Sequence, residues 1–231
     1  MNKLLAALLI TAGLTGCAST NTSSGGYTTM DKSAQSAISS DAAIAALKDG
    51  NKRFVSGNMV KRDLMKQVKS TGYGQYPMAT IVSCIDSRAG PEIVFDQGIG
   101  DVFSARVAGN FVNEDILGSL EFASKAAGSK VIVVLGHSSC GAIKGACDDV
   151  VLGNLTGMLA KIKPAVSEVI ASGDRSSNNE AFVQMVAEAN VKRTVNDVMV
   201  KSPVLKAMAA AGEIKIVGAM LDVKSGVVTW Y

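Results

Sequence analysis

The chain has 231 residues, of which 48% are hydrophobic and 19% are charged. That length can bury one substantial core and is ordinary for a single α/β domain. The net charge of +3 is small and the Lys and Arg residues are dispersed. The composition therefore argues against a nucleic-acid-binding protein.

Residues 1–16 are predicted to be an export signal. Lys3 gives a positive start, and the apolar stretch that follows it is too short to span a membrane. The sequence Leu14-Thr15-Gly16-Cys17 resembles a bacterial lipobox. That resemblance implies cleavage before Cys17, lipidation of Cys17 and anchoring on the periplasmic side of a bacterial membrane. An ordinary signal peptide with an incidental Cys17 is the alternative.

Residues 17–38 are predicted to be a flexible tether, because Ser, Thr and Gly dominate most of this stretch. Ser19 stands where an Asp would resemble an inner-membrane retention signal, which slightly favours the outer membrane. The remaining residues, 39–231, are predicted to form one domain.

Helical and strand patterns alternate along that domain. Predicted strands cover residues 78–83, 101–107, 130–135 and 213–221, with 227–231 closing a hairpin. Predicted helices cover residues 40–54, 63–69, 116–127, 141–147, 157–171, 180–199 and 204–211. Gly50 indicates a break in the first of these helices. The alternation predicts an α/β fold with a mostly parallel central sheet flanked by helices.

Two cysteines and the only histidine stand at the ends of predicted strands. Cys84 directly follows one strand, His137 follows another, and Cys140 comes three residues later. Open parallel sheets place ligand sites at the carboxyl ends of their strands. Two thiolates and an imidazole bind Zn²⁺ well, which leaves a fourth position for Asp86 or water. Three protein ligands and an open position are typical of a catalytic zinc site.

Asp86 and Arg88 give the open position a chemical role. Zinc would lower the pKa of bound water to about 7. Asp86 would accept a hydrogen bond from the resulting hydroxide, and Arg88 would hold Asp86 away from the metal. Taken singly, each residue has another interpretation. Cys84 could be a thiol of the core, His137 could be a buried histidine with ordinary hydrogen bonds, and Asp86 and Arg88 could form a structural salt bridge. Their joint occurrence favours the metal site.

Cysteine pairing is the competing interpretation for an exported protein. Cys84 and Cys140 could form a disulfide, but the His and Asp at ligand spacing favour a metal. Cys147 is left over and is predicted to be a small buried residue on a helix.

The pattern Cys84-x-Asp86-Ser87-Arg88 followed by His137-x-x-Cys140-Gly141 resembles the β-class carbonic anhydrases. The similarity runs from about residue 45 to residue 231. The flanking matches are Gly50-Asn51-x-Arg53-Phe54, Arg106-x-Ala108-Gly109-Asn110, Ser202-Pro203 and Ile216-Val217-Gly218-Ala219.

The resemblance implies reversible hydration of carbon dioxide to bicarbonate and a proton. It implies one Zn²⁺ per subunit, held by Cys84, His137 and Cys140, with Asp86 and Arg88 as the catalytic dyad. In an inactive state of some members, the Asp becomes the fourth zinc ligand. The resemblance also implies a homodimer or larger homo-oligomer, with an N-terminal helical arm that packs on the partner subunit.

Four further residues match substrate-binding positions of the family. Gln75 would hydrogen-bond bicarbonate, Phe103 and Phe122 would give carbon dioxide an apolar site, and Gly141 belongs to the second metal motif. A pH-gated subtype that bicarbonate inhibits has Trp where Ile81 stands. We therefore expect no bicarbonate escape site and an enzyme that is active near neutral pH.

Two other functions stay open at this point. A carbon disulfide or carbonyl sulfide hydrolase shares the zinc architecture, and a non-catalytic zinc-binding lipoprotein would need no charged pair beside an open position. His137 cannot be both zinc ligand and proton shuttle, so turnover is expected to rise with buffer concentration.

Overall fold

The computed structural model describes residues 28–231. The predicted export signal, Cys17 and residues 18–27 of the predicted tether lie outside the described residues. Between residues 28 and 231, no helix is both long and apolar enough to cross a membrane.

Five strands form one twisted sheet. They are β1 (Ala79–Ser83), β2 (Val102–Arg106), β3 (Val131–His137), β4 (Lys215–Leu221) and β5 (Val228–Trp230). Their spatial order is β2-β1-β3-β4-β5. The first four strands are parallel, and β5 returns antiparallel to β4 at one edge. The predicted mostly parallel sheet and its terminal hairpin are confirmed.

Ten α-helices surround the sheet in the described part of the chain. They are α1 (Lys32–Ala37), α2 (Ser40–Val55), α3 (Leu64–Thr71), α4 (Pro91–Val94), α5 (Glu114–Glu121), α6 (Gly141–Cys147), α7 (Gly153–Leu159), α8 (Lys163–Glu168), α9 (Glu180–Lys201) and α10 (Pro203–Ala210). A π-helical turn, Phe122–Ala126, continues α5.

The core lies on both faces of the sheet, and β3 is buried along its whole length. Successive side chains of a strand point to opposite faces. On one face, Val134 packs in a cluster with Val186 of α9 and Ile143 of α6. On the other, Val133 packs in a cluster with Leu47 of α2. Helices on both faces explain why β3 reads as an uninterrupted apolar run.

The predicted break at Gly50 is wrong, because α2 continues without interruption through it. A Cβ atom at this position would lie 1.8 Å from the carbonyl oxygen of Phe95. The glycine therefore allows α2 to approach the backbone that follows α4. Close packing, rather than a helix end, accounts for it.

The predicted single helix over residues 157–171 is also wrong, because the chain forms α7 and α8 there. Pro164 lies in the first turn of α8. Proline has no N–H to donate and its ring clashes with the preceding turn, so it starts a helix rather than continuing one.

The end of the predicted tether contains α1. The amide of Gln35, a buried residue of this helix, donates hydrogen bonds to the carbonyls of Pro77 and Ala127, both at 2.8 Å. Residues 32–37 are therefore docked on the domain beside the start of β1.

Candidate metal centre

The sheet register brings the predicted ligands together. β1 and β3 are parallel neighbours in which Ser83 pairs with Leu135. Cys84 follows Ser83, and His137 ends β3, so both reach the carboxyl edge of the sheet. Cys140 is the N-cap residue of α6, immediately after a tight turn. All three side chains are buried, with at most 4% of their surface exposed.

The ligand atoms of Cys84, His137 and Cys140 lie within 4.8 Å of one another. The two Sγ atoms are 4.0 Å apart. Two sulfurs at about 2.3 Å from a tetrahedral zinc would be separated by about 3.8 Å, so the spacing suits that ion. Both thiols are free, and the disulfide alternative is not realised in this structure.

The histidine presents a nitrogen that has no protein partner. His137 Nδ1 lies 2.9 Å from the carbonyl oxygen of Ser138. Because a carbonyl oxygen can only accept, Nδ1 carries the proton, and the lone pair of the neutral ring is on Nε2. Nε2 is buried and has no hydrogen-bond partner among the described residues. A buried polar atom without a partner is costly, and a metal ion beside the two sulfurs would satisfy it.

The electrostatics of the cluster favour a thiolate. The hydrogen bond from Cys140, supported by His137 and the Gly109 N–H, lowers the pKa of Cys84 to about 4. The same contact with Cys84 raises the pKa of Cys140. Burial lowers the pKa of His137, but the adjacent Cys84 sulfur and its charge outweigh burial and raise this pKa overall. The thiolate is the form that binds metals.

Asp86 and Arg88 form a bidentate pair beside the cluster. Arg88 Nε donates to Asp86 Oδ1 at 2.9 Å, and Arg88 Nη2 donates to Oδ2 at 2.8 Å. The backbone N–H of Arg88 also donates to Oδ1. These bonds from Arg88 hold the pKa of Asp86 well below its usual range. Asp86 Oδ2 remains 3.8 Å from His137 Nε2, so the carboxylate is paired with Arg88 and still faces the cluster.

Arg106, to which the sequence assigns no chemical role, holds the loop that carries Cys84 and Asp86. It is the last residue of β2 and pairs in register with Ser83. Its Nε donates to the Cys84 carbonyl at 2.9 Å, and its Nη2 donates to the Asp86 carbonyl at 2.7 Å. Its position as a charged residue at the carboxyl end of the strand next to Ser83 could have indicated this role from the sequence.

Gly109 and Asn190 form a second support that the sequence did not reveal. The Gly109 N–H donates to Cys84 Sγ at 3.4 Å, and its carbonyl accepts a hydrogen bond of 2.8 Å from Asn190 of α9. Gly109 has φ of +81°, and a Cβ there would lie 2.4 Å from Ile162 Cδ1. Only glycine fits this position, which keeps its N–H against the sulfur.

The predicted substrate-binding residues are spread over the surface. The rings of Phe103 and Phe122 meet edge to face at 6.3 Å and line an open groove of about 740 Å³ along β2 and α5. None of the three metal ligands lines that groove. Gln75 is exposed, and Gly141 is exposed beside Cys140. Their substrate roles stay predictions.

Two other predictions concern residues near the core. Ile81, which stands where the pH-gated subtype has Trp, is fully buried in β1. Cys147 is half-buried at the end of α6, outside the metal cluster.

An open parallel sheet with a thiolate–imidazole cluster and a charged pair at its carboxyl edge is the architecture of a metalloenzyme site. The comparisons with known proteins agree. Residues 79–228 match the family model described as carbonic anhydrase. Carbonic anhydrase 2 of Mycobacterium tuberculosis is 36% identical over 191 residues, which cover 80% of this chain and 89% of the relative.

Solved structures share the fold. The β-carbonic anhydrase CafA of Aspergillus fumigatus superposes with a TM-score of 0.64 at 27% identity, covering 83% of this chain and 89% of that one. A tetrameric β-carbonic anhydrase of Sordaria macrospora gives a TM-score of 0.61 at 22% identity, covering 72% and 89%. The chain belongs to the β-class carbonic anhydrases, a family of zinc-dependent enzymes that act on carbon dioxide and bicarbonate.

Proposed function

We propose that this protein catalyses the reversible hydration of carbon dioxide to bicarbonate and a proton, with one Zn²⁺ per subunit held by Cys84, His137 and Cys140. The supporting observation is the buried, partnerless His137 Nε2 beside two sulfurs that are 4.0 Å apart. Zinc in that position would supply the activation of water that this reaction needs at neutral pH.

Asp86 acts as the hydrogen-bond acceptor for the attacking water. Its depressed pKa keeps it ionised at neutral pH, so it can accept but has no proton to give. The two bonds from Arg88 fix the plane of the carboxylate, and the Arg88 N–H locks one of its oxygens. The carboxylate is therefore already oriented to accept a hydrogen bond from the water before any substrate binds.

The surrounding residues keep the site rigid. Arg106 ties down the carbonyls on either side of the loop, and Gly109 donates to the Cys84 sulfur. Because His137 is committed as a ligand, the released proton leaves through buffer or another group at the surface.

The substrate site is completed by assembly. The groove lined by Phe103 and Phe122 runs along the edge strand β2, which has no neighbour on its outer side among the described residues. We expect a homodimer or a larger homo-oligomer, in which Gln75, Gly141 and the two phenylalanines serve the substrate. The tetrameric neighbour from Sordaria macrospora agrees with such an assembly.

The proposed location is the periplasmic side of a bacterial membrane, with the outer membrane slightly favoured. The lipobox-like sequence ending at Cys17 supports export and lipid anchoring. The domain itself would then work outside the cytoplasm, joined to the lipid through the residues between Cys17 and α1.

The test is stopped-flow carbon dioxide hydration by zinc-loaded protein, comparing wild type with Asp86→Asn. We expect the variant to retain zinc and to lose about 10²–10⁴-fold in kcat. The matched control is Asp49→Asn, the same change at an exposed carboxylate of α2 that pairs with Lys52. It should leave kcat unchanged.

Full activity in Asp86→Asn would remove the dyad from the mechanism. A zinc-loaded wild type that does not hydrate carbon dioxide would refute the proposal. Turnover of carbonyl sulfide or carbon disulfide by that protein would favour the hydrolase alternative, and turnover of neither would favour a non-catalytic zinc lipoprotein.

A further inference from the structure

Helix α3 exposes its apolar side and buries a polar one. Gln67 is its only buried residue, at 2% exposure, whereas Leu64, Met65 and Val68 are 53%, 64% and 43% exposed. At 3.6 residues per turn these three side chains occupy one stripe about 100° wide. A helix of a globular protein normally turns such a stripe towards the core. In α3 the stripe faces solvent.

A hydrogen bond at Gln67 joins α3 to the segment before β2, and two local hydrogen bonds stabilise the helix itself. The Gln67 side chain accepts a hydrogen bond from the Ile99 N–H at 3.1 Å. Asp63 caps the helix by accepting from the Lys66 N–H at 2.9 Å, and Thr71 Oγ1 donates to the Gln67 carbonyl. The apolar stripe is therefore available for a partner outside the domain, as contiguous exposed apolar surface usually is.

One side of the stripe is basic. At 100° per residue Lys69 borders the stripe beside Met65, and Lys66 lies further round the helix. Lys61 precedes the helix, and α3 itself contains no acidic residue. The ion pairs formed between residues 28 and 231 include none of these three lysines. Tyr73, which is fully exposed, follows the helix. Apolar, aromatic and basic residues together are the composition of a helix that lies in a lipid interface.

The start of the described chain lies against the end of the same helix. Thr29 Oγ1 is 3.0 Å from Ser70 Oγ. Cys17 stands 11 residues before Thr28, a separation that a fully extended chain spans in about 40 Å. A lipid on Cys17 would therefore keep this end of α3 within that distance of a bilayer surface.

We propose that α3 is a membrane-docking helix. Leu64, Met65 and Val68 enter the headgroup boundary of an anionic leaflet, Lys69 contacts its phosphates, and Lys66 adds positive charge near that surface. The proposal rests on the Cys17 anchor, which brings the helix to the surface. A second copy docked through its own α3 is a poorer occupant, because such a symmetric contact would place lysines against lysines without a carboxylate from either helix.

The experiment uses the full chain, purified from membranes and reconstituted into phosphatidylcholine vesicles with or without phosphatidylglycerol. Hydroxyl-radical oxidation of Met65 is measured by mass spectrometry against Met185 and Met199, two exposed methionines of α9. We expect Met65 to be several-fold less oxidised on the anionic vesicles, with no change at the other two methionines and with recovery at high salt.

The charge variant is Lys66→Gln with Lys69→Gln. Since a lysine near an anionic surface is worth about fivefold in binding, this pair should remove most of the protection of Met65. The matched control is Lys192→Gln with Lys206→Gln, which removes the same charge from exposed positions on α9 and α10. The control should behave as wild type.

An oxidation ratio of Met65 to Met185 that is equal on both vesicle types overturns the proposal. So does protection of Met65 that grows with protein concentration in the absence of anionic lipid, because it assigns the stripe to a second copy. Flotation with neutral vesicles at high salt, and its loss in Cys17→Ala, tests the anchor separately. If the anchor fails, binding to anionic vesicles and its loss in the lysine variant still decide the role of α3.

Discussion

Two buried clusters of this protein differ in whether the chain supplies hydrogen-bond partners for their central groups, the Asp96 carboxylate and His137 Nε2. The fully buried Asp96 carboxylate is bonded by Arg53 Nε at 2.5 Å, by Arg62 and by the Val60 N–H. This arginine cluster ties α2 and the segment before α3 to the backbone after α4. The metal centre also holds buried polar groups, but it leaves His137 Nε2 without a partner. A buried carboxylate whose partners the chain supplies stabilises the fold, whereas a buried ring nitrogen without a partner beside two sulfurs marks a candidate metal site.

Replacing a metal ligand should give the largest effect. Cys140→Ser removes a thiolate that the proposed zinc needs, so we expect loss of bound zinc and of essentially all hydration activity. Elemental analysis and stopped-flow hydration measure the two quantities. Cys147→Ser is the matched control, because it makes the same change on the same helix outside the cluster. A Cys140→Ser protein that kept zinc and activity would mean that the cluster is not the metal site.

The arginine cluster should respond in stability and leave catalysis intact. Asp96→Asn leaves two buried or half-buried arginines without their counter-ion, so the free energy of unfolding should fall by about 3–5 kcal/mol. The zinc-loaded folded fraction should keep the wild-type kcat. Denaturant unfolding and stopped-flow hydration provide the measurements, with Asp49→Asn as the exposed control. A large change in kcat per folded molecule would contradict the assignment of stability to the arginine cluster and of catalysis to the metal centre.

The same variant carries a pH signature. Burial raises the pKa of Asp96, but the hydrogen bonds from Arg53 and Arg62 outweigh it and lower this pKa overall. Stability from such a group is present above the unfolded pKa of about 3.9 and is lost as the pH falls towards the lower folded value. The stability difference between wild type and Asp96→Asn should therefore shrink in acid. A difference that stayed constant below that pH would show that the carboxylate is not the cause.

Loosening the dyad should have an intermediate effect. Arg88→Gln frees Asp86 from its bidentate partner while leaving all three metal ligands in place, so we expect kcat to fall by about 10–100-fold with zinc retained. Arg193→Gln is the matched control, since Arg193 also pairs with a carboxylate, that of Glu168. Equal kcat values for wild type and Arg88→Gln would show that Asp86 is positioned without Arg88.

The smallest effect is expected at the support behind the sulfur. Asn190→Ala removes the hydrogen bond to the Gly109 carbonyl, which should cost about 1 kcal/mol of stability and weaken zinc binding slightly. Competition with a chelator measures the zinc affinity. Asn178→Ala, at an exposed asparagine before α9, is the control. An unchanged affinity would confine Asn190 to a purely structural role.

The sequence predicted the metal ligands because each stands where a strand or a turn ends. Cys84 and His137 follow apolar runs of recognisable length, and the sheet register then brings those ends together. The positioning roles of Arg106 and Asn190 were not predicted, because their bonds cross strands or join residues 81 positions apart, as Asn190 and Gly109 do. Hydrogen bonds between distant segments leave no local pattern in a chain.

Helix boundaries show the same limit. The alternation of strands and helices was predictable from periodicity, and α6 begins and ends where the sequence places it. The continuity of α2 through Gly50 was not, because it depends on the Phe95 carbonyl that packs against it. Pro164, by contrast, carried a local signal for the division between α7 and α8.

The sequence by itself determined the candidate metal ligands, the strand ends that carry them and the presence of a helix at α3. Only the tertiary structure decided that Asp86 is paired with Arg88, that His137 offers Nε2, and that the apolar stripe of α3 faces solvent. The physical reason is that periodicity and residue chemistry are local, whereas the direction of a face and the partner of a polar atom depend on what packs beside them.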